Sequence, residues 1–288
     1  MSKIAVVTDS TAYLPPKLVA QYGIRVIPLE LIWGDETFLD GVAIDPPTFY
    51  ERLSCSPDIP STTQPSAGAF TDFFTDVAQD ADGIVGVFIS SELSGTIASA
   101  LVARDSLPDL PIEVIDSRST SMGLGFMVLA AARAAAEGKG LEEVAAAARE
   151  LVPCMDVVFV VETLKYLHKG GRIGGASHLL GSALNIKPLL YLNEGHIEAL
   201  ERVRTKRKAV ERMLDVMAER AGDKPIHAAV IHANAPDEGA RLQKQVSKRF
   251  PHVELYQSEL SPVIGTHVGP GTVGVAFYTD GQGSGTHV

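Results

Sequence analysis

Three short polar segments, far apart in the chain, carry the side chains best suited to bind a small anion. They span residues 60–66, 90–96 and 265–271. Each is rich in hydroxyls, glycine or proline, which form loops that direct side-chain and backbone donors toward one point. The third segment also contains His267. Hydroxyls, backbone amides and an imidazole are donors without a permanent charge, so the pattern favours an anionic head group as the ligand.

Ser94 and His267 could instead form a catalytic pair, with the serine as nucleophile and the histidine as its base. That chemistry needs an acid to orient the base, and the sequence marks out no such acid. Ser94 also lies outside the G-x-S-x-G turn of the α/β-hydrolases. We therefore expect a binding protein without catalytic residues. The alternative is a serine hydrolase or acyltransferase that uses Ser94 and His267.

Two glycine-rich stretches raise the question of a nucleotide or phosphate site. Residues 269–274 match G-x-G-x-x-G, but a strand is expected after them, and 14 residues are too few for the acidic residue that this site needs about 20 positions later. Residues 170–175 lack the spacing of a P-loop. A phosphotransferase is therefore not expected. Arg172, which lies among four glycines, and Ser117, which follows a predicted strand, are candidate contacts for an anion.

Composition argues against several other classes of protein. The 288 residues are 45% hydrophobic and 21% charged, with a formal net charge of −10, whereas a nucleic-acid surface needs a basic patch. Two cysteines and scattered histidines lack the spacing of a metal site, so no metal or other cofactor is expected. Neither a secretory signal nor an apolar run of ~18 residues is seen, which predicts a cytoplasmic protein without stable membrane insertion.

The elements that must position the polar segments follow a repeated order of apolar strand, polar loop and helix. This order predicts a parallel sheet covered by helices, in which ligands lie beyond the carboxyl ends of the strands. Asp9, Ser94 and Ser117 each follow a predicted strand, so we expect them at one edge of that sheet. A hairpin around residues 193–195 predicts a partly antiparallel sheet in the second half.

The predicted fold class is therefore α/β, with two domains. Residues 1–153 form an N-terminal parallel sheet flanked by helices, and residues 154–280 form a C-terminal mixed α/β domain. Residues 281–288 are glycine-rich and are expected to be a disordered tail. Residues 24–33 are predicted as a single strand, and residues 265–271 as a loop.

Taken together, the motifs of this chain resemble those of the DegV family, which includes the FakB-type fatty-acid-binding proteins. The motifs are TTQPS at 62–66, SSELSGT at 90–96, IDS at 115–117, ETLKYL at 162–167, GGRI at 170–173 and GTHVGPG at 265–271. The similarity extends over nearly the whole chain, and several motifs in order are far more specific than any one alone.

The resemblance implies that a long-chain fatty acid, such as palmitate or oleate, is buried between the two domains. In the family, a threonine, a serine and a histidine of these motifs hold the acyl carboxylate, and they match Thr62, Ser94 and His267. Thr63, which stands where serine is common in the family, and Gly95 adjoin them and are also expected to contact the fatty acid. The resemblance further implies a carrier for lipid metabolism, which in some relatives presents its fatty acid to a separate fatty-acid kinase.

A dense basic cluster stands out in this acidic chain, formed by Arg202, Arg204, Lys206, Arg207 and Lys208. It is either a solvated strand end and helix start or a docking surface for an acidic partner. Arg202, Arg204 and Arg207 are the residues we expect to contact such a partner.

Overall fold

A computed structural model describes residues 3–181 and 186–281 of the chain. Two compact units are formed, one by Met1–Asp45 with Pro60–Val152 and the other by Pro46–Ile59 with Pro153–Val288. The sequence predicts one division near residue 153, and the structure adds an excursion of residues 46–59 into the second unit. Residues 282–288 of the predicted tail lie outside the described residues, and Gly281 is part of a turn.

The strands of the described residues are β1 (Ile4–Asp9), β2 (Arg25–Ile27), β3 (Glu30–Trp33), β4 (Glu36–Leu39), β5 (Ser61–Thr63), β6 (Gly83–Phe88), β7 (Ile112–Asp116), β8 (Asp156–Val160), β9 (Lys187–Asn193), β10 (His196–Val203), β11 (Ile226–His232), β12 (His252–Glu259) and β13 (Val273–Thr279). The α-helices are α1 (Pro16–Tyr22), α2 (Pro46–Cys55), α3 (Ala67–Val77), α4 (Thr96–Asp105), α5 (Ser121–Ala136), α6 (Leu141–Arg149), α7 (Lys165–Lys169), α8 (Lys206–Ala221), α9 (Pro236–Arg249) and α10 (Pro262–Val268). Short 3-10 turns lie at Ser10–Ala12, Val152–Cys154 and Gly174–Leu179.

The first unit contains the predicted parallel sheet, in the order β2-β1-β6-β7. Every residue of β6 is buried, as expected for a strand that is covered on both faces. Phe70 and Phe74 of α3 pack with Phe88 at the end of β6, and Ala100 of α4 joins the same core cluster. The α/β fold class predicted from the strand–loop–helix order is therefore confirmed for this unit.

The strand order places a crevice at the carboxyl ends of β1 and β6. From β1 the chain continues to β2 on one side, and from β6 it continues to β7 on the other side. Such a reversal is where open α/β sheets bind their ligands. The carboxylate of Asp9, which is fully buried at the end of β1, accepts a hydrogen bond of 2.8 Å from the backbone N–H of Ile89 after β6.

The prediction of a single strand over residues 24–33 is wrong, because β2 and β3 belong to different sheets. Pro28 lies between them, and proline has no N–H to donate to a strand ladder. The N–H of Leu29 instead donates to the hydroxyl of Ser10 at 3.1 Å. β3 then pairs with β4 and β5 in a small antiparallel sheet of order β4-β3-β5, which carries Thr62.

The second unit contains a six-stranded mixed sheet, in the order β10-β9-β8-β13-β11-β12. The predicted hairpin is formed by β9 and β10, and Glu194 and Gly195 of its turn both have positive φ. β11 and β12 are parallel, whereas the other neighbours are antiparallel. Met213 and Met217 of α8 and Leu242 of α9 pack against the sheet. The mixed sheet predicted for the second half is confirmed.

The prediction of a loop over residues 265–271 is also wrong, because α10 extends to Val268. The hydroxyl of Ser261 accepts a hydrogen bond from the N–H of Ile264, and proline follows the serine, so the helix begins with a good cap. Gly269, with φ of 76°, ends it. His267 therefore lies in the last turn of a helix rather than in a loop.

The excursion at residues 46–59 supplies α2, which packs against α10. Phe49 and Tyr50 of α2 are buried. A Cβ added at Gly265 would lie 2.4 Å from the hydroxyl oxygen of Tyr50, so only glycine allows the two helices to approach this closely. Residues 46–59 lie within the stretch that the sequence assigns to the first domain, so only the structure reveals this association.

Candidate functional site

Thr62 and Thr63 lie on the edge strand β5 of the small sheet in the first unit. Thr62 is opposite Leu31, and Thr63 is opposite Glu30. Both threonines are half-buried. Successive side chains of a regular strand point to opposite faces. The hydroxyls of Thr62 and Thr63 therefore cannot both bind the same ligand atom. The structure thereby separates two residues that the sequence treats as one pair.

Ser94 precedes α4 and uses its hydroxyl locally. Its Oγ lies 2.9 Å from Oγ1 of Thr96 and accepts a hydrogen bond of 3.3 Å from the N–H of Thr96. Ser94 is half-buried, whereas the neighbouring Gly95 is exposed. The serine therefore lies at the beginning of a helix, where backbone donors and the helix dipole favour an anion.

The first two polar segments meet within this unit. A Cβ added at Gly95 would lie 2.9 Å from Nε2 of Gln64, so the Gln64 side chain rests on the glycine backbone. Gln64 directly follows β5, which carries Thr62. The structure thus brings the segment of Thr62 beside that of Ser94, although 32 positions separate the two residues along the chain.

The carboxylate of Asp116 and several backbone groups hold the Ser94 loop in place. The carboxylate of Asp116, at the end of β7, accepts a hydrogen bond of 3.3 Å from the N–H of Ser91. The N–H of Ser90 donates to the carbonyl of Ser119 at 2.9 Å, and the N–H of Ser94 donates to the carbonyl of Ser90 at 3.1 Å. The loop is therefore tied to the ends of two neighbouring strands.

Ser117 is fully buried, and its hydroxyl takes part in a turn. It donates to the carbonyl of Ser119 and accepts from the N–H of Ser119, each at 3.1 Å. These bonds stabilise the loop between β7 and α5. The geometry favours a structural role for Ser117 over the ligand contact considered from the sequence.

His267, in the second unit, is a neutral imidazole in a tightly packed environment. Burial and the nearby positive charge of Arg172 lower its pKa to about 4, from an ordinary value of 6.5. A Cβ added at Gly170 would lie 2.2 Å from Nδ1 of the ring, so the imidazole packs directly against that glycine. Near neutral pH the ring has one N–H donor and one acceptor nitrogen.

Arg172 supplies the positive charge next to this neutral ring. Its guanidinium donates a hydrogen bond of 2.7 Å to the carbonyl of Gly170, the residue on which His267 rests. The same charge that opposes protonation of the imidazole attracts an anion. Arg172, one of the candidate anion contacts predicted from the sequence, therefore lies beside His267.

The basic cluster is not one continuous surface. Arg202 and Arg204 are exposed at the end of β10, and the Arg207 side chain is 82% exposed at the beginning of α8. Lys206, by contrast, is only 18% exposed and forms ion pairs with Glu162 and Glu238. Of the cluster, only Lys206 and Arg207 line a groove of about 510 Å³ between α8 and α9, together with Arg241 and Lys244.

In residues 3–181 and 186–281, no group of three or more histidine, cysteine, aspartate or glutamate side chains could hold a metal ion. The same residues include no helix with the length and apolar character to cross a membrane.

The lowered pKa of His267 predicts a pH dependence of stability. The unfolded chain takes up this proton near pH 6.5, and the folded protein takes it up only near pH 4. As the pH falls between these values the unfolded state gains protonation first, so the free energy of unfolding should decrease, by roughly 3 kcal/mol, and then level off. Urea unfolding of the wild type and of His267→Gln from pH 7 to pH 4 tests this. Equal pH dependence in the two proteins would contradict the buried, neutral imidazole.

Comparison with known proteins gives these residues a family context. Residues 3–280 match the DegV family, which is described as a family of uncharacterised proteins. A DegV domain-containing protein of Streptomyces coelicolor is 41% identical over 274 residues, which are 94% of this chain and 97% of that protein.

Two solved structures are similar over almost the full length. A DegV family protein of Thermus thermophilus, described by its fatty acid binding, has a TM-score of 0.91 and 37% identity and covers 97% of this chain and 100% of its own. DegV of Bacillus subtilis, described as a fatty acid binding protein, has a TM-score of 0.90 and 33% identity with the same coverage. Since both the sequence match and the fold extend over nearly all of the residues that form the two units, the chain belongs to the DegV family.

Proposed function

We propose that this protein binds a long-chain fatty acid without covalent chemistry and carries it for use in lipid metabolism. Thr62 and Ser94 of the first unit and His267 of the second unit are the proposed donors to the carboxylate. The observation that carries the proposal is the largely buried, neutral imidazole of His267 beside the guanidinium of Arg172. The fatty acid binding described for the Thermus and Bacillus relatives supports the same ligand class.

The chemistry of a fatty acid matches this set of groups. Burial of the tail contributes roughly 0.8 kcal/mol per CH₂, so most of the affinity should come from apolar contacts. The carboxylate must receive hydrogen bonds wherever it leaves water. Hydroxyls and a neutral imidazole supply those bonds, and Arg172 supplies compensating charge. None of these groups attacks the carboxylate, so the ligand stays intact, as a carrier requires.

The alternative of a serine hydrolase or acyltransferase is less compatible with the electrostatics. A general base works best with a pKa near the operating pH. With a pKa of about 4, His267 is a weak base for activating Ser94 near neutral pH. Arg172 also opposes the imidazolium that would form. Turnover of p-nitrophenyl palmitate by the wild type, lost in Ser94→Ala, would favour the hydrolase.

The first expectation is that the protein purified from a bacterial host contains long-chain fatty acid. Mass spectrometry of the denatured protein should detect near-stoichiometric acid, and palmitate or oleate added to delipidated protein should raise its melting temperature, because a ligand specific for the folded state stabilises that state. The proposal is excluded if mass spectrometry finds no fatty acid in the original preparation and neither palmitate nor oleate raises the melting temperature of the delipidated protein.

The second expectation concerns the three donors. Alanine at Thr62, Ser94 or His267 should weaken binding of palmitate by on the order of 1–3 kcal/mol each, since the carboxylate loses one donor while the tail remains buried. Thr63→Ala should have a smaller effect than Thr62→Ala, because the two side chains point to opposite faces of β5. Titration calorimetry measures all four variants, with Thr75→Ala on the exposed face of α3 as control. If the alanine variants of Thr62, Ser94 and His267 all bind palmitate as tightly as the wild type, these residues are not the carboxylate donors.

The third expectation concerns a partner. We propose that Arg202, Arg204 and Arg207 dock an acidic protein, for which the family resemblance suggests a fatty-acid kinase. Exposed cations on a chain of net charge −10 attract such a partner, and the attraction weakens as salt rises. Binding to a bacterial fatty-acid kinase should be lost in Arg204→Glu/Arg207→Glu and retained in Arg104→Glu of the first unit. Equal binding by the wild type and both variants would show that Arg204 and Arg207 are only solvated.

A further inference from the structure

Four charged side chains of the second unit form one cluster that the sequence does not predict. Lys206, the first residue of α8, pairs with Glu162 at 2.8 Å and with Glu238 of α9. Lys187 of β9 pairs with the same Glu162 carboxylate, and its Nζ also donates to the Glu162 carbonyl at 3.3 Å. Lys206 thereby joins the segment after β8 to two helices.

Lys206 makes one further bond, and this bond reaches the segment that carries His267. Its Nζ donates to the carbonyl oxygen of Gly271 at 2.5 Å. Gly271 follows α10 by three residues and is four residues beyond His267. The ammonium group therefore bonds to two carboxylates and one backbone carbonyl, which uses all three of its N–H donors.

The same short segment is packed closely against the residues that Lys206 holds. A Cβ added at Gly271 would lie 2.6 Å from Cγ of Glu162, and one added at Gly269 would lie 2.3 Å from the ring of Tyr166. Both glycines also have positive φ, 80° and 76°, which side chains rarely adopt. The backbone after His267 therefore packs closely against Glu162 and Tyr166, and its Gly271 carbonyl accepts a hydrogen bond from Lys206.

The imidazole itself rests on the end of this same stretch. Gly170, on which the His267 ring packs, lies four residues after Tyr166 and eight after Glu162. The stretch 162–170 therefore contacts the ring at one end and the backbone beyond it at the other. A shift of Glu162 relative to Gly271 would move the imidazole with respect to Gly170.

The charges of the cluster favour ion pairs that persist near neutral pH. Burial acts to raise the pKa of Glu162, but the hydrogen bonds and positive charges of Lys187 and Lys206 outweigh it, so the pKa lies below the ordinary value. The carboxylate thus stays ionised near neutral pH. The ion pairs are also partly shielded from water, unlike the exposed pair of Arg207 with Glu211.

We propose that Lys206 is a positioning residue for His267, which holds the imidazole where it can donate to the carboxylate of a bound fatty acid. The proposal rests on the proposed function for its ligand, and goes beyond it in assigning a role to a lysine that lies outside the donor set. Lys206 acts through Glu162 and Gly271, without contact with the ligand. It is thereby distinguished from Arg202, Arg204 and Arg207, with which it forms a single basic cluster in the sequence.

The test uses the full-length protein in three variants. Lys206→Met removes the charge and keeps the length of the side chain, and Lys206→Arg keeps the charge and the capacity to donate. Lys248→Met, on the exposed face of α9, is the matched control. The first readout needs no ligand: the ring resonances of His267 in ¹³C-histidine-labelled protein, assigned by comparison with His267→Gln. The second is the affinity for myristate and for 1-tetradecanol, which has the same chain length but no carboxylate.

The proposal predicts a specific pattern across these measurements. In Lys206→Met the His267 resonances should shift and the titration midpoint of the ring should rise toward its ordinary value, because the imidazole becomes less confined. Myristate should bind about tenfold more weakly, while tetradecanol changes by less than about twofold. Lys206→Arg should restore most of the myristate affinity, and Lys248→Met should match the wild type in every readout.

Two results would overturn the proposal. Unchanged His267 resonances in Lys206→Met would show that the lysine does not position the ring. An equal loss of affinity for myristate and tetradecanol would show that the substitution only destabilises the second unit. If the wild type binds neither ligand, the proposed function fails, and the His267 resonances and titration midpoint alone then decide the role of Lys206.

Discussion

The need to satisfy backbone groups where buried strands end governs the architecture of both units. A buried N–H without a partner costs about as much as a lost hydrogen bond, so each polar loop must find acceptors. In the first unit Asp9 meets this need, with a carboxylate that accepts from Ile89 and from both the N–H and the hydroxyl of Thr11. Asp116 does the same for Ser91. These bonds determine the course of the loop that presents Ser94.

In the second unit, a positively charged side chain satisfies a backbone carbonyl beyond the end of a helix. Gly269 and Gly271, which follow α10, have positive φ, so their carbonyls lack helical N–H partners and need donors elsewhere. The Gly269 carbonyl accepts from the hydroxyl of Thr272, and the Gly271 carbonyl accepts from Lys206. Lys206 is in turn neutralised by Glu162 and Glu238. A loop that appears flexible from its glycines is therefore rigid, because the glycines permit close packing.

This rigidity suits recognition of a carboxylate by neutral donors. Hydroxyls and an uncharged imidazole each contribute modest hydrogen bonds, and they are effective only when they need not reorganise on binding. Arg172 adds positive charge beside the imidazole of His267. The lowered pKa of His267 keeps the ring a donor rather than a cation. The proposed fatty-acid site would therefore bind its ligand reversibly, as the proposed carrier requires.

Sequence alone determined the α/β class, the parallel first sheet, the mixed second sheet and the polar segments, because hydrophobic period, turn residues and ordered motifs are local signals. It was wrong about residues 24–33, where Pro28 divides one apolar run between two sheets, and about residues 265–271, where α10 extends to Val268. Only the tertiary structure decided that Thr62 and Thr63 face opposite ways, that α2 packs on α10, and that Lys206 is an internal clamp rather than a surface charge. These features depend on contacts between residues that are far apart in the sequence. Such contacts determine the burial and ion pairing of a side chain, whereas its neighbours in the chain do not.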